Sequence, residues 1–194
     1  MLKLYYKLPN GNHFAHISRS GTSTLAAHAL KNFYPEKYQE FLKQKEIKYQ
    51  APQQFLEEYW SNRLPPDCVC MLRDPVVRLK SMLNKRPQMS NYLDFVGNIG
   101  IRNSITTRSI SRKLDILTII HLAQFTSIAD NDSNIILFPN IEQACKELDM
   151  EYHKHIHENI SMTRYDNDLP NKWKHYLEES VGLYSAFNIN KTIS

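Results

Sequence analysis

Residues 14–30 read FAHISRSGTSTLAAHAL, and this stretch decides the fold of the chain. An apolar segment that ends at Ile17 leads into a polar turn, and a run rich in alanine and leucine follows that favours a helix. Strand, glycine-containing loop and helix in this order are typical of a phosphate-binding loop. Gly21 permits a tight backbone turn, so that hydroxyl groups and successive N–H groups converge on an anion. We therefore expect a phosphorylated ligand at this loop.

The basic residue of this loop stands before the glycine rather than after it. Arg19 precedes Gly21, and the sequence lacks the Gly-Lys-Ser/Thr ending with which nucleotide triphosphatases bind terminal phosphates and magnesium. The order instead resembles the 5′-phosphosulfate loop of sulfotransferases. In that family a Lys-Ser-Gly-Thr-Thr or His-Ile-Pro-Lys-Thr-Gly-Gly-Thr-Ser sequence binds 3′-phosphoadenosine 5′-phosphosulfate (PAPS).

Length and composition are those of one ordinary globular domain. The 194 residues are 42% hydrophobic and 23% charged, and the net charge is only +4, which does not indicate a nucleic-acid binder. The first residues contain no long apolar segment, so we expect neither a signal peptide nor a membrane anchor. Cys68, Cys70 and Cys145 lie in apolar runs without a disulfide or zinc spacing. This cysteine usage predicts core residues of a reduced, cytoplasmic protein.

Hydrophobic periodicity predicts strands that alternate with helices. The predicted strands are residues 2–8, 13–17, 68–72 and 135–138, of which the first two form a hairpin. The first predicted helix follows the glycine loop, and Thr22 or Ser23 can cap it. The others lie in two pieces within 36–63, follow Asp74, and occur at 114–129, 141–148 and 173–187. Such alternation favours a parallel sheet covered on both faces, with a ligand at the carboxyl ends of its strands. Residues 84–112 are irregular, and form either a substrate lid or a surface excursion.

A second strand–turn–helix segment lies at residues 68–83, CVCMLRDPVVRLKSML. Asp74 is predicted to cap its helix, with Pro75 at the first helical position. Ser81 follows Asp74 by two helical turns and returns to the face on which the helix began. An Arg73 guanidinium and a Ser81 hydroxyl can therefore share one phosphate. The stretch resembles the Val-Arg-Asp-Pro-x-x-Arg-x-x-Ser sequence with which sulfotransferases bind the 3′-phosphate of PAPS.

With both motifs in order, the chain resembles the small sulfotransferases of the Golgi and carbohydrate-modifying type over nearly its whole length. The resemblance implies a single domain, residues 1–194, with an α/β, three-layer P-loop NTPase-like fold and a mainly parallel central sheet flanked by helices. It also implies PAPS as the cofactor, 3′-phosphoadenosine 5′-phosphate (PAP) as the product and no metal. The reaction is then transfer of a sulfuryl group to a hydroxyl or amine of a small-molecule or carbohydrate acceptor, without nucleic acid or membrane as partner.

The resemblance assigns a role to each residue of the two motifs. Arg19 takes the place of the family's lysine, which contacts the phosphosulfate bridge and stabilises charge on the departing 5′-phosphate. Because a guanidinium stays protonated, it does not act as an acid there. The resemblance also implies that the 5′-phosphate is bound by Ser20, Gly21, Thr22 and Ser23. The 3′-phosphate is then bound by Arg73 and Ser81.

The acceptor requires a base, and this chain has no histidine between Lys31 and His121. Glu36 is our first candidate because it follows the helix that bears the loop, and the alternatives are Glu57, Glu58 and His28. Some relatives close an Arg-Lys-Gly loop over the 3′-phosphate. Here its substitutes are Lys172 and Lys174, for which a helix surface is the preferred interpretation.

Two further patterns leave alternatives open. His153, His155 and His157 lie on one side of an extended segment, but no carboxylate or cysteine spacing accompanies them, so a metal site is disfavoured. A basic surface at the acceptor entrance is expected from Lys85, Arg86, Arg102, Arg108 and Arg112. The rival functions are a PAP- or PAPS-binding protein that has lost catalysis, and a divergent P-loop nucleotide kinase.

Overall fold

The computed structural model describes residues 3–17, 20–47, 50–85, 134–137, 139–156 and 185. Its elements are β1 (Lys3–Lys7), β2 (His13–Ala15), α1 (Thr22–Phe33), α2 (Pro35–Ile47), a 3-10 turn (Pro52–Phe55), β3 (Glu58–Ser61), β4 (Val69–Leu72), α3 (Pro75–Lys85), β5 (Asn134–Leu137) and α4 (Ile141–Glu147). The helix predicted at 114–129, nearly all of that at 173–187, and the irregular segment beyond Lys85 lie outside the described residues.

The chain divides into two compact units. The first contains Met1–Leu72 and Ser127–Ile160, and therefore the whole described sheet with α1, α2 and α4. The second contains Arg73–Thr126 and Ser161–Ser194, of which α3 is the described helix. No helix among the described residues has both the length and the hydropathy that a membrane span requires.

The sheet of the first unit is mixed, and the prediction of a mainly parallel sheet is wrong. Its five strands stand in the order β3-β1-β2-β4-β5. The pairs β2–β4 and β4–β5 are parallel, whereas β1 pairs antiparallel with both β2 and β3. The chain enters the sheet through a hairpin, and a hairpin imposes antiparallel pairing on its two strands. The fold class, α/β with helices packed on the sheet, is confirmed at this coarser level.

The predicted hairpin is present, and its turn explains the local sequence. Tyr6 of β1 stands opposite Phe14 of β2. The turn closes with hydrogen bonds from the Leu8 amide to the Asn12 carbonyl, 2.8 Å, and from the Gly11 amide to the Leu8 carbonyl, 2.9 Å. Gly11 has a φ of +90°, a conformation that side chains with a Cβ rarely adopt.

The second helical piece predicted within residues 36–63 is wrong. Pro52–Phe55 forms one short 3-10 turn, and Glu58–Ser61 is the edge strand β3. Tyr59 stands opposite Tyr5 on β1, and the two rings stack with their centroids 5.7 Å apart. The aromatic residues fit helical spacing over so short a stretch, but aromatic cross-strand pairs also stabilise a sheet. Residues Glu58–Ser61 form a strand rather than a helix because they pair with β1.

The core lies on the face of the sheet that packs against α1, α2 and α4. Phe14, Met71 and Ile136 contribute to this cluster from three neighbouring strands. All four residues of β4 are buried, as predicted for a central strand covered on both faces. The prediction that α4 buries one side is also confirmed, through Ile141, Ala144, Cys145 and Leu148.

Candidate anion-binding site

The loop that follows β2 ends in a glycine at the start of α1. Gly21 has φ +91° and ψ 0°, and its carbonyl accepts the first helical hydrogen bond from the Leu25 amide at 3.0 Å. The positive φ explains why a glycine is needed here. Gly21 is thus the N-cap of α1, and the prediction that Thr22 or Ser23 caps the helix is wrong. Ser18 and Arg19 lie outside the described residues.

Thr22 closes the loop on itself. Its hydroxyl donates to the Ile17 carbonyl at 2.8 Å, and the Ile17 amide donates back to the Thr22 Oγ1 at 3.2 Å. Ser20 tightens the same turn through its amide, 3.2 Å from the Ile17 carbonyl, and is fully buried. Because the Thr22 hydroxyl proton is used inside the loop, an anion at this place would meet the amide of Thr22 rather than its hydroxyl.

Ser23 accepts a hydrogen bond from a residue that lies far from the loop in the sequence. The Nε2 of Gln53 donates to the Oγ of Ser23 at 2.9 Å, across thirty residues of sequence. Gln53 belongs to the 3-10 turn Pro52–Phe55, which packs against α1. Sequence analysis missed Gln53, because neither its neighbours nor its spacing from the glycine indicates a site.

The electrostatics at the start of α1 favour an anion. The first amide groups of a helix have no carbonyl partner within it, and the helix dipole places positive charge there. The first turn of α1 contains no acidic residue, and no side chain among the described residues forms a cap hydrogen bond at its N-terminus. The twelve-residue helix thus presents its positive end beside Gly21.

A partly buried polar pair lies directly after β2, before the loop. The Tyr6 hydroxyl and the His16 Nδ1 are joined by a hydrogen bond of 2.9 Å. Burial lowers the pKa of His16, although Glu58 partly opposes this shift, and burial also raises the pKa of Tyr6. The pair therefore holds a neutral imidazole and a protonated phenol at pH 7.

The proposed phosphate ligands of the second motif, Arg73 and Ser81, belong to the second unit. The Asp74 carboxylate accepts a hydrogen bond from the Val77 amide at 2.9 Å, so the predicted N-cap of α3 is confirmed. Arg73 and Ser81 are both partly exposed, and Ser81 lies in the second half of α3. Arg78, on the same helix, is buried to 2% exposure.

The candidate bases occupy very different environments. Glu36 is exposed in the first turn of α2, where a carboxylate stabilises the helix N-terminus. Glu57 is exposed directly before the edge strand β3, and Glu58 is exposed as the first residue of that strand. His28 is fully buried, and its ring lies against those of Tyr152 and His153, with centroid distances of 5.3 and 5.9 Å.

Metal and disulfide chemistry find little support in the described part of the chain. His153 and His155 lie with ring centroids 5.9 Å apart, while the predicted third ligand, His157, is outside the described residues. No group of three or more histidine, cysteine, aspartate or glutamate side chains that suits a metal occurs among the residues described. The three cysteines are free and buried, as predicted, and burial raises the pKa of Cys145 to about 12.

An open depression of about 660 Å³ lies along α4. None of the predicted site residues lines it, and its walls come from α4 and the segment that follows. The lining residues are Asn140, Glu142, Gln143, Lys146, Met150 and Tyr152.

Comparison with known proteins returns no relative for this chain. No family model, no curated protein and no solved structure matches it.

Proposed function

We propose that this chain binds PAPS and transfers its sulfuryl group to a hydroxyl or amine acceptor, with carbohydrate among the acceptor classes. The observation that carries the proposal is the start of α1. There a left-handed glycine, a helix without an acidic first turn and the Ser23 hydroxyl lie together at the end of β2. This combination suits a phosphate group.

The second half of the proposed site rests on the second motif. Arg73 follows directly after β4, and its guanidinium can bind a phosphate bidentately. Ser81 lies two helical turns after Asp74, on the face on which α3 begins. We propose that the loop binds the 5′-phosphate while Arg73 and Ser81 bind the 3′-phosphate, within a fold of the three-layer P-loop kind.

The proposed reaction is an in-line displacement at sulfur. The acceptor oxygen or nitrogen forms a bond to sulfur, the bond from sulfur to the bridging oxygen of the 5′-phosphate breaks, and PAP leaves with that oxygen. Arg19 stabilises the charge that develops on the leaving phosphate, and Glu36 takes the acceptor's proton. The chain's part is thus positioning and charge stabilisation.

The first test is calorimetry with PAP and with ADP, which lacks the 3′-phosphate. PAP should bind more tightly than ADP. Arg73→Ala should weaken PAP about 10- to 150-fold, the effect of losing a hydrogen bond to a charged group, and leave ADP unchanged. Arg63→Ala is the matched control, because Arg63 is exposed and lies outside both motifs. Equal affinities for PAP and ADP would defeat the proposal.

The second test concerns turnover. With labelled PAPS and a panel of carbohydrate, phenol and amine acceptors, a sulfotransferase transfers the label, and Glu36→Gln should lower kcat.

A binding protein that has lost catalysis is the second candidate. The observation in its favour is that His28, one of the proposed bases, is fully buried, while Glu36 is exposed at a helix start where it already has a structural use. Tight PAP binding without transfer to any acceptor would select this candidate. Magnesium-dependent turnover of ATP would instead select a divergent kinase.

A further inference from the structure

The hydrogen bond between Gln53 and Ser23 determines where the serine proton points. A serine hydroxyl has one proton to donate and two lone pairs that accept. Because the Nε2 of Gln53 donates to the Ser23 Oγ at 2.9 Å, one lone pair is occupied and the hydroxyl proton must point to another acceptor. Ser23 lies in the first turn of α1, next to the amide groups that favour an anion.

The second polar atom of the Gln53 amide, Oε1, shows that the hydrogen bond to Ser23 is not explained by the hydrogen-bonding needs of Gln53 alone. Its Oε1 is buried and accepts no hydrogen bond within the described part of the chain. A buried acceptor without a hydrogen bond costs about 1 to 3 kcal/mol. A glutamine without a further role would therefore be expected to form hydrogen bonds through both its Nε2 and its Oε1. Gln53 uses only the end that faces Ser23.

We propose that Gln53 is a positioning residue of the anion site. It holds Ser23 as an acceptor, so that the Ser23 hydroxyl proton is directed to a phosphate oxygen of a bound nucleotide. Gln53 itself acts only through Ser23. This inference rests on the proposed anion site at the start of α1, but it does not depend on which nucleotide is bound there.

The test is a double-mutant cycle with ADP and PAP as probes in calorimetry. Ser23→Ala should weaken both ligands about 10-fold, and Gln53→Ala should weaken them about 2- to 10-fold, the range for one hydrogen bond. The double variant should bind no more weakly than Ser23→Ala alone, because Gln53 acts only through the serine. Effects that add in the double variant would overturn the inference.

Gln53→Met separates positioning from packing. Methionine keeps the length and volume of the side chain but has no N–H group to donate to Ser23. Positioning predicts that Gln53→Met loses as much affinity as Gln53→Ala, about 2- to 10-fold. A role in packing alone predicts that Gln53→Met binds like the unmodified chain, which would also overturn the inference. Gln54→Ala, at the exposed neighbouring glutamine, is the matched control and should bind like the unmodified chain.

The two probes distinguish this inference from the proposed function. Where PAP binds no more tightly than ADP, the sulfotransferase assignment fails, and the cycle measured with ADP still decides the role of Gln53. Where PAP is preferred but the cycle is additive, only the role of Gln53 fails. A chain that binds neither nucleotide overturns both.

Discussion

The two strand–turn–helix segments of this chain begin their helices in opposite electrostatic ways. α1 has Gly21 as its N-cap and no acidic residue in its first turn. α3 begins after Asp74, whose carboxylate accepts the hydrogen bond of the Val77 amide at 2.9 Å. Among the described residues no carboxylate meets the positive end of the helix dipole at α1, whereas the Asp74 carboxylate already neutralises it at α3.

This difference indicates two modes of recognising phosphate. At α1 the proposed ligand meets main-chain amides and one oriented hydroxyl, so backbone conformation matters most. At α3 the helix start is occupied, and any phosphate contact must come from the Arg73 guanidinium and the Ser81 hydroxyl. Three substitutions and a change of pH test these expectations.

The largest effect is expected from Gly21→Ala. At φ +91° a Cβ introduces backbone strain of about 1 to 3 kcal/mol, which urea unfolding should show as lost stability. The loop should also lose ADP affinity. Gly11→Ala is the matched control, since it has φ +90° and its Cβ would meet no atom within 4 Å. It should lose similar stability and no affinity, and equal losses of affinity in both variants would contradict a site at Gly21.

The second change removes the cap of α3. Asp74→Ala should lower the free energy of unfolding by about 1 kcal/mol, because the Val77 amide loses its acceptor. Asp74→Asn keeps an acceptor at the cap and should be close to the unmodified chain. Thermal unfolding of both variants is the measurement, and a loss of the same size in each would show that the charge matters rather than the hydrogen bond.

The third change makes α1 resemble α3. Ser23→Asp places a carboxylate in the first turn of α1 and should raise stability by about 0.3 to 1 kcal/mol through the helix dipole. The same charge should repel a phosphate, so ADP affinity should fall at least about 10-fold. Calorimetry after a melting curve measures both quantities. A variant that still binds ADP normally would place the anion elsewhere.

The smallest effect is expected from pH. Burial lowers the pKa of His16 in the folded chain. As the pH falls, the imidazole is therefore protonated at a higher pH in the unfolded chain than in the folded chain. The contribution of neutral His16 to the free energy of unfolding is therefore present above its usual pKa of 6.5, and is lost as pH falls through the lowered pKa. The melting temperature should decline below about pH 6.5. His16→Asn keeps a hydrogen-bond partner for Tyr6 and should make the decline of the melting temperature with falling pH less steep. An unchanged slope would assign the decline to His13 and His153, whose pKa values are lowered as well.

Local patterns were enough to predict the elements around the site. The hairpin followed from alternation and a turn sequence, and β4 followed from a short apolar run. The cap at Asp74 followed from the Asp-Pro start of α3. Each of these depends on residues within a few positions of one another, which is why sequence alone is sufficient.

The wrong predictions concern interactions over distance. A helix is the wrong prediction for β3 because Phe55, Leu56, Tyr59 and Trp60 fit both periods in a short segment. The mainly parallel sheet was wrong because pairing of β1 with two antiparallel neighbours depends on strand order. Thr22 was expected as a cap, but its hydroxyl contacts the Ile17 carbonyl instead.

The sequence by itself determined that a strand, a glycine turn and a helix stand together in residues 14–30, because φ preference, alternation and helix propensity act between near neighbours. Only the tertiary structure brought Gln53 to Ser23, at 2.9 Å, and turned the loop into a site with an oriented hydroxyl. The physical reason is that a hydrogen bond depends on distance and direction in space. Those are set by how the turn at Pro52–Phe55 packs on α1, and no spacing in the sequence encodes that packing.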